Sequence, residues 1–100
     1  MEQYQKLVRD KIPELLDAKG ISYERWTASP DEYTKELIAK LQEESAEFAE
    51  AGAIEELADV LEVIGALIAL PEYADVENIR AQKRIERGGF DAKIILKGEK

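Results

Sequence analysis

The segment EESAEFAEAGAIEELADVLEV, residues 43–63, decides the fold because it places eight carboxylates within a helical apolar pattern. Before the glycine, Leu41 and Phe48 follow an apolar stripe at helical spacing, and Glu44 occupies the slot between them. After the glycine, Asp59 lies among apolar neighbours in the same way. The segment predicts two consecutive helices that carry acids on the faces they bury.

Helix start and stop signals surround this segment. Ser29 is a good N-cap, Pro30 suits the first helical position, and Glu32 completes a capping box. The first long helix is therefore expected to begin here and to run to about Ala51, before Gly52. A short helix is predicted before it, over residues 13–19, with Gly20 as its C-terminal cap. A second long helix is predicted over residues 54–70 and ends at Pro71. A third long helix is predicted over residues 75–87 and is followed by Gly88 and Gly89.

Two short segments have the alternating pattern of strands. In residues 21–27, Ile21, Tyr23 and Arg25 alternate with Ser22, Glu24 and Trp26 as in a short strand. Residues 92–98, AKIILKG, are a candidate partner strand. The fold class predicted for residues 1–100 is a single, mainly all-α helical-bundle domain with a small two-stranded β ribbon.

Composition excludes several kinds of chemistry. The 100 residues include no cysteine and no histidine, which excludes disulfides, thiolate sites and imidazole catalysis. The N-terminal residues are charged throughout, and the longest near-apolar run, residues 63–70, is too short to cross a bilayer. A cytoplasmic protein with no membrane partner is therefore expected.

The net charge of −8 is unevenly distributed. Residues 31–77 contain fourteen acids and two bases, whereas residues 78–100 contain three acids and seven bases. An acidic middle repels nucleic acids and attracts divalent cations, while a basic end favours phosphate.

The second long helix is apolar around most of its circumference. Its apolar residues are Leu57, Val60, Leu61, Val63, Ile64, Leu67, Ile68 and Leu70. A helix of this kind is usually buried on all sides, which a chain this small achieves most simply with a second copy. A symmetric dimer that completes a four-helix bundle is the simplest expectation.

The acids in the stripe form two pairs at a spacing of three residues. Glu44 pairs with Glu47 on the first long helix, and Glu56 pairs with Asp59 on the second. The short connection around Gly52 predicts antiparallel packing, which brings all four carboxylates together. Since no lysine or arginine lies between Lys40 and Arg80, a hard divalent cation such as Mg²⁺ is the expected counter-charge.

At this point the chain resembles a known enzyme family. The motifs ESAE and ELAD resemble the paired ExxE and ExxD signature of the MazG-like all-α nucleoside triphosphate pyrophosphohydrolases. The segments KLVRDKIPELL near the start and KRIERGGFDAKIIL near the end resemble the short branch of that family related to phosphoribosyl-ATP pyrophosphohydrolase. Together these blocks cover most of the chain.

The resemblance implies an all-α fold and the Mg²⁺-dependent hydrolysis of a nucleoside triphosphate to a monophosphate and pyrophosphate, with Mn²⁺ as a substitute ion. It implies nucleotide-pool cleaning as the biological role. The metal ligands carried over by position are Glu44, Glu47, Glu56 and Asp59. The catalytic candidates are Glu43, as a water activator or support for the ligands, and Glu47.

Substrate-binding candidates lie on the third long helix. Lys83, Arg84 and Arg87 are expected to contact substrate phosphates, and Asn78 is expected to make a polar substrate contact. The competing interpretation is that the cations only complement the dipole at the end of the helix. A homodimer or homotetramer is expected.

Two alternative functions remain open at the level of sequence. One is phosphoribosyl-ATP hydrolysis in histidine synthesis, which belongs to the same superfamily. The other is a non-catalytic helical interaction module whose acids bind a basic partner or a structural cation.

Overall fold

A computed structural model describes residues 4–99, so residues 1–3 and Lys100 of the predicted domain lie outside the description. The predicted helical class is confirmed. The elements in order are α1 (Ile12–Ala18), α2 (Pro30–Ala51), α3 (Ile54–Ile68), a 3₁₀ turn (Pro71–Tyr73) and α4 (Val76–Arg87). Within residues 4–99, no helix has both the length and the apolar character needed to cross a membrane.

The boundaries of α2 follow the sequence signals. The Ser29 hydroxyl oxygen accepts a hydrogen bond from the backbone N–H of Glu32 at 3.2 Å, as an N-cap should. At the other end, Gly52 adopts φ +62° and donates its N–H to the Phe48 carbonyl at 2.7 Å. Glycine suits this left-handed position because it has no Cβ to collide with the backbone. The predicted bounds of α2 are confirmed.

The C-terminus of α1 is closed by a Schellman motif. Gly20, at φ +70°, donates its N–H to the Asp17 carbonyl, and Ile21 donates its N–H to the Leu16 carbonyl, both at 3.0 Å. The Tyr23 hydroxyl then donates to the Asp17 carboxylate at 2.7 Å. The chain after α1 is thereby held against the end of that helix.

The predicted β ribbon is wrong, because neither segment forms a strand within residues 4–99. In the C-terminal segment, Lys93 adopts φ +61° and donates its N–H to the Phe90 carbonyl, so a turn interrupts the start of the expected strand. In the N-terminal segment, the Tyr23 side chain is bound to α1. A two-stranded ribbon is marginally stable by itself, so these local contacts prevail.

The chain divides into two compact units, the first ending at Leu67 and the second beginning at Ile68. The first unit contains α1, α2 and most of α3, and it holds the residues that are buried in the described part of the chain: Leu37, Val63 and Glu44. The second unit contains the 3₁₀ turn and α4. The single domain expected from the sequence stays a prediction.

The helix α3 is buried on only one side within this chain. Val63 is buried, whereas Ile54, Leu57 and Leu61 are 78%, 42% and 61% exposed. These three exposed residues lie within a narrow sector of the helix, on the side opposite Val63. The expectation of burial on all sides is therefore not met by one chain alone.

Candidate metal centre

Three carboxylates converge between α2 and α3. One oxygen each from Glu44, Glu56 and Asp59 lies within 4.8 Å of the other two. Glu44 precedes the turn at Gly52 and the other two residues follow it, so α3 must return alongside α2 as a helical hairpin. The predicted convergence is thus observed for three of the four acids proposed as metal ligands.

Glu44 is the buried member of this cluster. It is only 8% exposed, and its Oε2 atom is buried without a hydrogen-bond partner. Burial raises the pKa of Glu44, and the nearby charge of Glu47 raises it further, while Lys40 acts in the opposite direction. An ionised oxygen in this position lacks compensation from protein donors, which is costly unless a cation or a proton supplies it.

Two cations from outside the acidic segment reach the cluster. The Lys40 Nζ lies 3.6 Å from Glu44 Oε1 and 3.6 Å from Glu43 Oε2. The Arg9 Nη2 donates to Asp59 Oδ1 at 2.8 Å. Both cations lie outside the stretch between Lys40 and Arg80 that contains no lysine or arginine, and they partly neutralise the acids.

Sequence reasoning was able to find only one of these two cations. Lys40 stands four residues before Glu44, which is the spacing of neighbouring side chains on a helix. Arg9 and Asp59 are 50 residues apart, and no local pattern links them. The arginine contact depends on the path of the segment before α1, which only the structure supplies.

Glu47 and Glu43 lie at the edge of the cluster. Glu47 is exposed and does not belong to the converging trio, although its charge is close enough to raise the pKa of Glu44. The Glu43 side chain is 39% exposed and faces Lys40. Their predicted roles as ligand and water activator stay predictions.

The donor set fits a hard divalent cation. All three donors are carboxylate oxygens, which Mg²⁺ and Mn²⁺ prefer, and the chain has no cysteine thiolate or histidine imidazole for softer metals. Oxygens bound to one Mg²⁺ in octahedral geometry are roughly 3 to 4 Å apart, so small side-chain rotations bring the trio into range. The unpartnered oxygen of Glu44 distinguishes this cluster from ordinary surface acids.

The predicted substrate-binding residues all lie on α4, in the second unit. Asn78 donates its side-chain amide to Asp75 Oδ1 at 2.9 Å. Arg84 Nη2 lies 3.6 Å from Asp91 Oδ2, just beyond the end of the helix. Lys83 and Arg87 are exposed. These contacts are local to the second unit, and the substrate-binding role of the four residues stays a prediction.

Comparisons with known proteins assign neither a family nor a fold. No known family matches the chain. No solved structure matches it either. A segment of 42 residues is 55% identical to an uncharacterised protein of Mycolicibacterium smegmatis, and it covers 42% of this chain and 43% of that protein. The chain thus matches less than half the length of this relative.

Proposed function

We propose that the protein is a divalent-cation-dependent nucleoside triphosphate pyrophosphohydrolase of the MazG-like type. The single observation that carries the proposal is the buried, unpartnered Oε2 of Glu44 within the trio that Glu56 and Asp59 complete. This arrangement is expected for an oxygen that binds a cation. The motifs ESAE and ELAD, which supply the trio, are the ones that resemble the family signature.

In this proposal Glu44, Glu56 and Asp59 hold the cation, and Glu47 joins them from the next turn of α2. Bound Mg²⁺ supplies Lewis-acid polarisation of a phosphate oxygen and lowers the pKa of a coordinated water. The protein's part is to fix these carboxylates on two packed helices, so that little reorganisation is needed when substrate arrives.

The reaction is hydrolysis of the bond between the α- and β-phosphates. A water oxygen bonds to one of the two phosphorus atoms that share the bridging oxygen, and the bond from that phosphorus to the bridging oxygen breaks. Nucleoside monophosphate and pyrophosphate are released. Glu47 is exposed beside the trio and is suited to accept the proton of the water, with Glu43, held near Lys40, in support.

The four residues of α4 that were predicted to bind substrate carry groups suited to a nucleotide. Lys83, Arg84 and Arg87 provide positive charge suited to a polyphosphate, and Asn78 provides an amide for a polar group of the nucleoside. The Arg84 contact with Asp91 is exposed, so a phosphate can replace it at little cost.

We also propose that a second copy covers the exposed side of α3. Ile54, Leu57 and Leu61 present an apolar strip on the side of the helix that faces away from the buried Val63. Apolar strips of this kind are favourable when a partner helix covers them. Light scattering should give a mass of at least twice 11.3 kDa, and Leu61→Glu should reduce it. A monomeric wild-type protein would exclude this assembly.

The activity is tested with a panel of canonical and modified nucleoside triphosphates and phosphoribosyl-ATP, in Mg²⁺ and in excess chelator. Pyrophosphate and orthophosphate are measured separately. We expect Mg²⁺-dependent pyrophosphate release from at least one triphosphate. Orthophosphate as the sole product contradicts the proposed reaction, and no phosphate release from any compound favours the interaction-module alternative.

A matched pair of variants links the activity to the trio. Glu44→Gln keeps the size of the side chain and removes the charge, and it should lower pyrophosphate release by about a hundredfold. Glu50→Gln makes the same change at an exposed position of α2, and it should leave the rate within about twofold of the wild type. Equal losses in the two variants would argue against a role for Glu44 as ligand.

A further inference from the structure

The ion pair between Arg9 and Asp59 joins the segment before α1 to the metal centre. The Arg9 Nη2 lies 2.8 Å from Asp59 Oδ1, across 50 residues of chain. We name residues 4–11 the N-terminal arm. The arm thus places a guanidinium beside a carboxylate that belongs to the converging trio.

A purely structural role explains this contact poorly. The side chains of Arg9 and Asp59 are 55% and 40% exposed, and exposed ion pairs contribute little to stability. A guanidinium has five N–H donors in a planar fork, a shape that matches phosphate as well as carboxylate. Since more than half of the Arg9 side chain faces solvent, donors remain for a second acceptor.

The balance of charge at the site favours the transfer of Arg9 from Asp59 to a bound phosphate. When Asp59 binds a divalent cation, its negative charge is largely compensated and its attraction for Arg9 falls. The same cation repels a guanidinium placed close to it. A polyphosphate bound there restores negative charge within reach of Arg9.

We propose that Arg9 is a phosphate-binding residue of the site, resting on Asp59 in the free protein and moving to substrate phosphate when Asp59 coordinates a divalent cation. This inference rests on the proposed function. It assigns to the arm a part in substrate binding that is separate from the residues on α4. It also makes Arg9 a competitor of the cation for Asp59.

The proposal requires two effects of opposite sign from one substitution. Arg9→Gln removes the competitor, so it should tighten the binding of Mn²⁺ alone by about threefold to tenfold. It also removes a charge-assisted contact, so it should weaken the binding of inorganic triphosphate to the Mn²⁺-saturated protein by about tenfold or more. A partly unfolded variant would weaken both.

The experiment measures Mn²⁺ binding from the electron paramagnetic resonance signal of the free ion, and inorganic triphosphate binding by calorimetry at saturating Mn²⁺. Inorganic triphosphate is used because it is the part that all nucleoside triphosphates share. Lys11→Gln is the matched control, since it removes the same charge two residues away on the arm, and it should change either affinity by less than about twofold. Arg9→Lys should recover part of the triphosphate affinity.

Each outcome decides the proposal. Weaker binding of both probes by an Arg9→Gln variant that keeps the circular dichroism spectrum of the wild type would show that Arg9 only positions Asp59, and would overturn the proposal. Unchanged triphosphate affinity would also overturn it, even if the wild type releases pyrophosphate from nucleotides. A wild-type protein that binds no Mn²⁺ would instead remove the proposed function on which the inference rests.

Discussion

The helical hairpin of the first unit and the helix α4 of the second unit use charged residues in different ways. In the hairpin, acids lie on the packed faces: Glu44 is buried, and the partner of Asp59 is 50 residues away in sequence. In α4 the ion pairs join residues close in sequence and are exposed. Arg80 Nη1 lies 3.3 Å from Glu77 Oε2, and Arg84 Nη2 lies 3.6 Å from Asp91 Oδ2.

The two regions differ in how much their charged residues affect the stability of the fold. Short-range exposed pairs like those of α4 contribute little and tolerate replacement. A buried acid is costly to fold unless a cation or a proton compensates its charge. The hairpin is accordingly the part of the molecule in which substitutions should have the largest and most specific effects.

The largest expected effect comes from the core of the hairpin. Leu37 is 3% exposed on α2, and Leu37→Ala should lower the free energy of unfolding by about 3 kcal/mol, because it removes buried methyl groups and leaves a cavity. Ile85 is 80% exposed on α4, and Ile85→Ala should cost less than about 0.5 kcal/mol. Urea unfolding followed by circular dichroism measures both. A similar loss of unfolding free energy in the two variants would mean that the Ile85 side chain is buried in solution, and the predicted difference between the hairpin and α4 would be wrong.

Local signals were sufficient to predict the helices of both units. Ser29 and Gly52 act through their own backbone neighbours, so their effect on α2 is visible in the sequence. The strand prediction failed because it depends on more than local signals. An alternating pattern gives a preference for a strand, and a strand forms only when a partner strand pairs with it. Here the turn at Lys93 and the contact of Tyr23 with Asp17 occur in place of that pairing.

The acidic site was predictable in part. The spacing of Glu44, Glu56 and Asp59 on two helices joined by a tight turn gives their convergence from helix geometry alone. The burial of Glu44 also follows from its place in an apolar stripe. The contact with Arg9 depends on how the arm crosses the hairpin, and no periodicity encodes that path.

A smaller effect on stability is expected at the N-termini of α2 and α4, where the two helices are capped differently. Ser29 accepts the backbone N–H of Glu32, so Ser29→Ala should cost about 1 kcal/mol. Asp75 opens α4 without a side-chain capping bond to the backbone and accepts instead from the Asn78 side chain. Asp75→Ala should therefore cost less than about 0.5 kcal/mol. Thermal unfolding of the two variants checks the order, and a larger loss from Asp75→Ala would reverse it.

The smallest expected effect is a pH dependence that belongs to the hairpin. Burial raises the pKa of Glu44 in the folded protein, with a further contribution from the charge of Glu47. The folded state therefore binds more protons at Glu44 than the unfolded state does, at pH values above the ordinary pKa of glutamate. Linkage then requires that this group's contribution to stability falls as pH rises through that window.

The measurement compares wild type with Glu44→Gln in excess chelator, by urea unfolding between about pH 4.5 and pH 7.5. Because glutamine does not titrate, the metal-free variant should gain stability over the wild type as pH rises, and the two should converge as pH falls. Glu50→Gln, at an exposed position of α2, should show no such trend. In saturating Mg²⁺ the wild type should become the more stable of the two proteins near the highest pH of the series, since the ion binds the Glu44 carboxylate and not the glutamine. Parallel stability curves for wild type and Glu44→Gln in chelator would mean that Glu44 is ionised at no cost, which is incompatible with its burial beside Glu47.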